Sequence, residues 1–83
     1  MEIRYKPQVV KQLKRLSKKE KTKIINKLEI LADDPLAGKP LRGELKGLRS
    51  LRVWPFRIVY EVFDGIIIVY SVARLAIVYI KLK

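Results

Sequence analysis

The sequence predicts an α+β fold, in which an N-terminal strand and a helical hairpin pack on a small, mainly antiparallel sheet. Three observations predict it. Apolar residues recur at helical spacing up to residue 31, as Val9, Leu13, Leu16 and then Ile24, Leu28, Leu31. From Leu48 to Tyr70 the chain changes to runs of β-branched and aromatic residues, broken at Trp54-Pro55 and Asp64-Gly65. The 83 residues are enough for one domain, 1–83. A chain of this size buries only about 60% of its unfolded surface, so a partner that covers apolar surface would be unsurprising.

Each element has a local reason. Residues 2–5 read as a short strand. Pro7 suits a helix start, where its missing N–H is not needed, and a short amphipathic helix is predicted over 7–16. Ser17-Lys-Lys-Glu20 has the pattern of a capping box and opens a second helix. Asp33-Asp34-Pro35 ends that helix, because proline disfavours helical backbone in the residue before it. Residues 35–47 hold Pro35, Gly38, Pro40, Gly43 and Gly47 and read as a loop. Strands are predicted near 48–54, 56–63 and 66–73. Asp64-Gly65 between the last two is a hairpin signal. The stretch 66–72 is apolar on both faces, as in a central strand covered by the helices on one side and by a loop, tail or partner on the other. Residues 75–82 read as a last strand in preference to a short helix.

Composition narrows the chemistry. Lys and Arg number 19 and Asp and Glu 8, a net charge of +11. Such a field favours polyanions and fast, salt-sensitive association, with nucleic acid ahead of an acidic membrane or protein. The chain has no Cys, hence no disulfide, thiol nucleophile or zinc–thiolate site. It also has no His, so the usual general base and commonest metal ligand are missing. No metal and no cofactor are expected. The apolar run from Gly65 to Ile80 is interrupted by Arg74 and is short for a membrane span, and Met-Glu-Ile-Arg-Tyr lacks an apolar signal core. A cytoplasmic protein with no membrane partner is expected.

Basic residues fall in two groups. Residues 4–27 carry ten, including Lys11, Lys14, Arg15, Lys18, Lys19 and Lys23, with Glu20 the one acid. The ordinary reading is a solvated helical face. The near absence of acids for i,i+4 pairing favours an electrostatic platform for a nucleic-acid backbone. The second group, Arg49, Arg52 and Arg57, lies on predicted strands, which hold planar guanidinium groups in fixed positions suited to phosphate. As plain alternatives, Arg52 would pair with Glu44 or Glu61, Arg74 would be a solubilising strand end, and Tyr60 and Tyr70 read as core. Trp54 reads equally as turn packing or partner contact.

The order of one strand, two helices and three strands, with Leu51-Arg-Val-x-x-Phe-Arg-Ile-Val-Tyr-Glu-Val62, resembles the RelE toxins of the RelE/ParE toxin–antitoxin superfamily. Asp33-Asp34-Pro35, Lys39-Pro40-Leu41 and Gly47-Leu48-Arg49 resemble the family as well. The resemblance implies an RelE-like fold and a ribosome-dependent endoribonuclease that cuts mRNA in the A site. The mRNA 2′-OH attacks the adjacent phosphate, leaving a 2′,3′-cyclic phosphate and a 5′-OH. Its implied partners are a RelB-like antitoxin and the ribosome with its mRNA and rRNA, with operator DNA reached only through the antitoxin.

The resemblance also implies roles for particular residues. Arg57 would clamp the scissile phosphate, Arg52 support substrate or site geometry, and Tyr79 stack on or orient a nucleotide, the last being as readily a core aromatic. Arg74 falls where the family has a basic cluster, and Lys46 and Arg49 lie near a basic pair whose aligned places hold Leu48 and Ser50. The general base therefore stays open. Leu75 stands four residues before Tyr79, where an Arg is expected. Three readings follow: a weakened or inactive protein, a deliberately detoxified variant, or a register shifted by one in which Arg74 acts. Competing functions are a ParE-like inhibitor that binds gyrase and a non-catalytic nucleic-acid-binding module.

Overall fold

The computed structural model describes residues 1–75. Strand β1 (Glu2–Tyr5) leads into helices α1 (Pro7–Lys14) and α2 (Lys18–Asp33). Strand β2 (Lys39–Pro40) and a single 3-10 turn at Gly43–Leu45 follow, then β3 (Arg49–Val53), β4 (Phe56–Phe63) and β5 (Ile66–Arg74). The five strands form one sheet in the order β1-β5-β4-β3-β2. Every pairing is antiparallel except β1 with β5.

The helices begin where local chemistry starts them. Pro7 occupies the first turn of α1. At α2 the capping box is complete, with the Glu20 N–H donating to Ser17 Oγ (3.2 Å) and the Ser17 N–H to Glu20 Oε1 (3.0 Å). Val9, Ile24, Leu28 and Leu31 are buried against Val53, Phe56, Ile58, Tyr60, Ile67, Val69 and Val72 of the sheet, with Leu13 and Leu16 at the margin. Burying each such side chain stabilises the fold by about 1.5–3 kcal/mol, which makes this layer the principal core. The other face of the sheet has a smaller cluster of Val59 and Ala73, covered by Leu41, Leu48 and Tyr70. The loop thus supplies part of the cover predicted for the central strands.

The loop predicted over 35–47 is more ordered than its composition implies. The Tyr60 hydroxyl donates to the Pro35 carbonyl (2.8 Å) and accepts the Gly38 N–H (2.9 Å). The Arg49 guanidinium donates to the carbonyls of Leu36 (3.2 Å) and Gly38 (3.1 and 2.8 Å). These contacts place Lys39-Pro40 alongside β3 as a two-residue strand, with Lys39 opposite Ser50. A Cβ at Gly38 would sit 2.6 Å from the Tyr60 hydroxyl and 2.8 Å from the Ser50 carbonyl, so only glycine fits.

One irregularity decides which way the end of β5 faces. The register between β4 and β5 shifts at Val59/Tyr60, because Val59 pairs with Ser71 and Tyr60 with Val69, leaving Tyr70 as an extra residue. Beyond such a bulge the alternation is reversed. Ile67 and Val69 face the helices before it, and Val72 does so after it. The exposed backbone is satisfied by two glutamines one turn apart on α1. Gln8 Nε2 donates to the Tyr70 carbonyl, and Gln12 Oε1 accepts the Val72 N–H (2.8 Å) while its Nε2 reaches Ser71 Oγ (3.4 Å).

Candidate functional site

The β3–β4 hairpin turns at Trp54-Pro55, so Val53 opposes Phe56 and Arg52 opposes Arg57. Val53 and Phe56 face the helices and are buried, which puts Arg52 and Arg57 together on the helix-free face. Residues directly opposite in an antiparallel pair hold their Cβ atoms about 4.5–5.5 Å apart, and like charges so placed are destabilising. Two planar guanidinium groups in one rung have the charge and geometry to take a phosphate.

The two arginines line a groove of about 540 Å³. Lys39, Pro40, Leu41 and Ser50 also line it. Among the described residues its lining includes no carboxylate. Glu61 lies four residues beyond Arg57 on β4, about 13 Å along the strand. Its Oε1 accepts a hydrogen bond from the Tyr70 hydroxyl (2.9 Å). Burial, reinforced by that bond and the Glu61 charge, holds the Tyr70 phenol above its ordinary pKa, so it stays protonated at neutral pH. The groove can bind phosphate and stabilise developing negative charge, and its described lining offers no carboxylate or imidazole base.

The other expected site residues are placed differently. Arg74 opposes Phe56, on the helix side of the sheet. Its guanidinium lies 5.2 Å from the centre of the Phe56 ring, and Nη2 lies 4.0 Å from Glu20 Oε2. It is not beside Arg57. Arg49 is half-buried and committed to the 36–38 loop, a positioning role rather than an open contact for RNA. Lys46 is exposed at the turn after Gly43–Leu45. Lys11, Lys14, Arg15, Lys18 and Lys19 are exposed on or beside the helices, remote from the groove face, and Lys23 donates to the Trp54 carbonyl (2.8 Å). Tyr79 lies outside the described residues, as do all but the first residue of the 75–82 segment. Tyr60 is fully buried and Tyr70 half-buried. Among the described residues no cluster of three metal-ligating side chains occurs.

Lys39 is the groove residue that sequence reasoning missed. Its signal was the Lys-Pro pair itself, since lysine and proline both suit a short edge strand.

Two helices on one face of a five-strand mixed sheet define the fold class of the RelE-like toxins. The chain belongs to the family of ParE toxins of type II toxin–antitoxin systems, whose model matches residues 3–79. It is therefore a type II toxin of the RelE/ParE superfamily, as the Leu51–Val62 resemblance implied. No curated protein matches it in sequence. Solved structures do. In the RelBE2 toxin–antitoxin complex of Mycobacterium tuberculosis, the matching chain is 26% identical with a TM-score of 0.81, over 88% of this chain and 95% of that one. In the YoeB–YefM complex of Staphylococcus aureus the values are 28% and 0.76, over 88% and 94%. YafQ of E. coli shares the fold at 23% identity and a TM-score of 0.78, over 94% and 97%.

Proposed function

We propose that this toxin is a ribosome-dependent endoribonuclease that cuts mRNA in the A site through the groove of Arg52 and Arg57. The observation that carries this reading is the Arg52–Arg57 rung, two arginines directly opposite each other on the β3–β4 hairpin and lining one groove. The substrate brings its own nucleophile. The 2′-oxygen attacks the adjacent phosphorus, the P–O5′ bond breaks, the 2′-OH proton is lost and the 5′-oxygen gains one. The products are a 2′,3′-cyclic phosphate and a 5′-OH. Arg57, half-buried in the groove lining, grips the phosphate, and Arg52 shares the charge of the phosphorane. One preorganised donor of this kind lowers a barrier by about 3–4 kcal/mol. Alignment of the mRNA within the ribosome supplies the in-line geometry. The exposed lysines of α1 and α2 hold rRNA phosphates.

A RelB-like antitoxin is the proposed partner, supported by relatives that were solved as toxin–antitoxin complexes. Operator DNA would be met through that antitoxin. No helix among the described residues is long and apolar enough to cross a membrane. The proposed compartment is the cytoplasm, where the ribosomes are.

The orientation of Arg74 favours a second reading, a ParE-like toxin that inhibits gyrase by binding, because it removes one cation from the neighbourhood of Arg57. End-group analysis separates the two. RNA recovered from a purified translation reaction should carry 2′,3′-cyclic phosphate and 5′-OH ends at its new termini. Intact RNA together with inhibited gyrase supercoiling would replace the nuclease with the binder.

A further inference from the structure

We propose that Lys39 is a phosphate ligand of the groove, holding the phosphate next to the one gripped by Arg52 and Arg57. The inference rests on the RNA-cleaving reading and extends it from one phosphate to two.

The sheet register places the lysine. Lys39 opposes Ser50, and Ser50 opposes Val59. Val59 belongs to the cluster on the helix-free face, so all three side chains of this rung point to that face. Lys39 accordingly lines the same groove as Arg52 and Arg57. Its rung lies two residues along β3 from the arginine rung, a separation of about 7 Å. That spacing is comparable with the step between successive phosphates of an extended RNA strand. Ser50 belongs to the lysine rung and lines the groove as well, so its hydroxyl can donate to a phosphate held there.

The lysine is also held more firmly than a surface loop would hold it. Gly38, immediately before it, is fixed through both of its flanking peptide units, by the Tyr60 hydroxyl at its N–H and by Arg49 at its carbonyl. Leu41, two residues later, donates its N–H to the Leu48 carbonyl (2.9 Å). A buried tyrosine, a half-buried arginine and a glycine that tolerates no Cβ thus fix the backbone that presents one ammonium group. Guarding a sheet edge needs only a charge, not this degree of preorganisation. A ligand position does need it.

The probe is a 2′-O-methyl RNA trinucleotide, which cannot be cleaved and is short enough to report on the groove. Wild type, Lys39→Ala, Lys39→Arg and Arg57→Ala are titrated at low salt, with thermal unfolding measured for each. Lys39→Ala is expected to lose about three- to fivefold in affinity, the weight of one exposed ion pair, and Lys39→Arg to recover it, at unchanged melting temperature. Wild-type affinity in Lys39→Ala beside a loss in Arg57→Ala would overturn the inference and leave Lys39 as an edge-strand charge. Cleavage in the ribosomal reaction is scored separately. Lys39-dependent binding without cleavage would remove the nuclease reading and keep the site. Cleavage without Lys39-dependent binding would do the reverse.

Discussion

Tyr60→Phe removes a single oxygen and should cost far more than a surface change. The ring is fully buried, and its hydroxyl accepts the Gly38 N–H at 2.9 Å while donating to the Pro35 carbonyl at 2.8 Å. Gly38 is buried, so its N–H has no water to turn to once the oxygen is gone. An unsatisfied buried donor costs about 1–3 kcal/mol, and Pro35, being half-buried, recovers part of its loss from solvent. A total near 2 kcal/mol corresponds to a fall in melting temperature of about 8–16 °C for a domain of this size. Calorimetry or thermal circular dichroism measures it directly. The same variant should weaken RNA trinucleotide binding, because Lys39 adjoins the freed segment. A fall below about 4 °C, less than 1 kcal/mol, would refute the claim that this hydroxyl pins the loop.

Three further outcomes follow from particular contacts. Gly38→Ala drives a Cβ to 2.8 Å from the Ser50 carbonyl and should destabilise by about 1–3 kcal/mol, read from a denaturant midpoint. Gln12→Ala leaves the Val72 N–H of the bulge without its acceptor and should cost a similar amount, about 1–3 kcal/mol, with amide exchange at Val72 accelerated most. Acid should loosen the start of α2. The bond from the Ser17 N–H is the main cause that lowers the Glu20 pKa from its ordinary 4.5, with the nearby Arg74 charge adding a little. Folding thus favours the carboxylate, so its contribution is present above pH 4.5 and is lost as pH falls through the lower folded value. Glu20→Gln should flatten the acid dependence of stability in that window.

Much of the fold was legible because its signals are local. The Ser17–Glu20 capping box, the Asp64-Gly65 turn and the helix-face spacing of Ile24, Leu28 and Leu31 each depend on neighbours in sequence, and each stands where the pattern put it. The Arg52–Arg57 pair was half legible, since both lie on strands, but their opposition depends on the two-residue turn between Val53 and Phe56. Arg74 was not legible. Strict alternation from Ile67 and Val69 would put it on the groove face, and the extra residue Tyr70 turns it to the helices. Nothing in Val-Tyr-Ser-Val announces a bulge, and its support comes from Gln8 and Gln12 about sixty residues away in sequence. Arg49 and Lys39 escaped for the same reason. A guanidinium on a strand looks free until a loop offers it carbonyls, and a two-residue strand has no periodicity to read.

The most direct test of the central claim is primer extension on an mRNA under translation in a purified ribosomal system, with wild-type protein and with Arg57→Ala. Folding of both is verified by circular dichroism. The account predicts cuts confined to codons in the A site, lost in the folded Arg57→Ala protein. Cuts that persist in that variant, or their absence with folded wild-type protein, would contradict it.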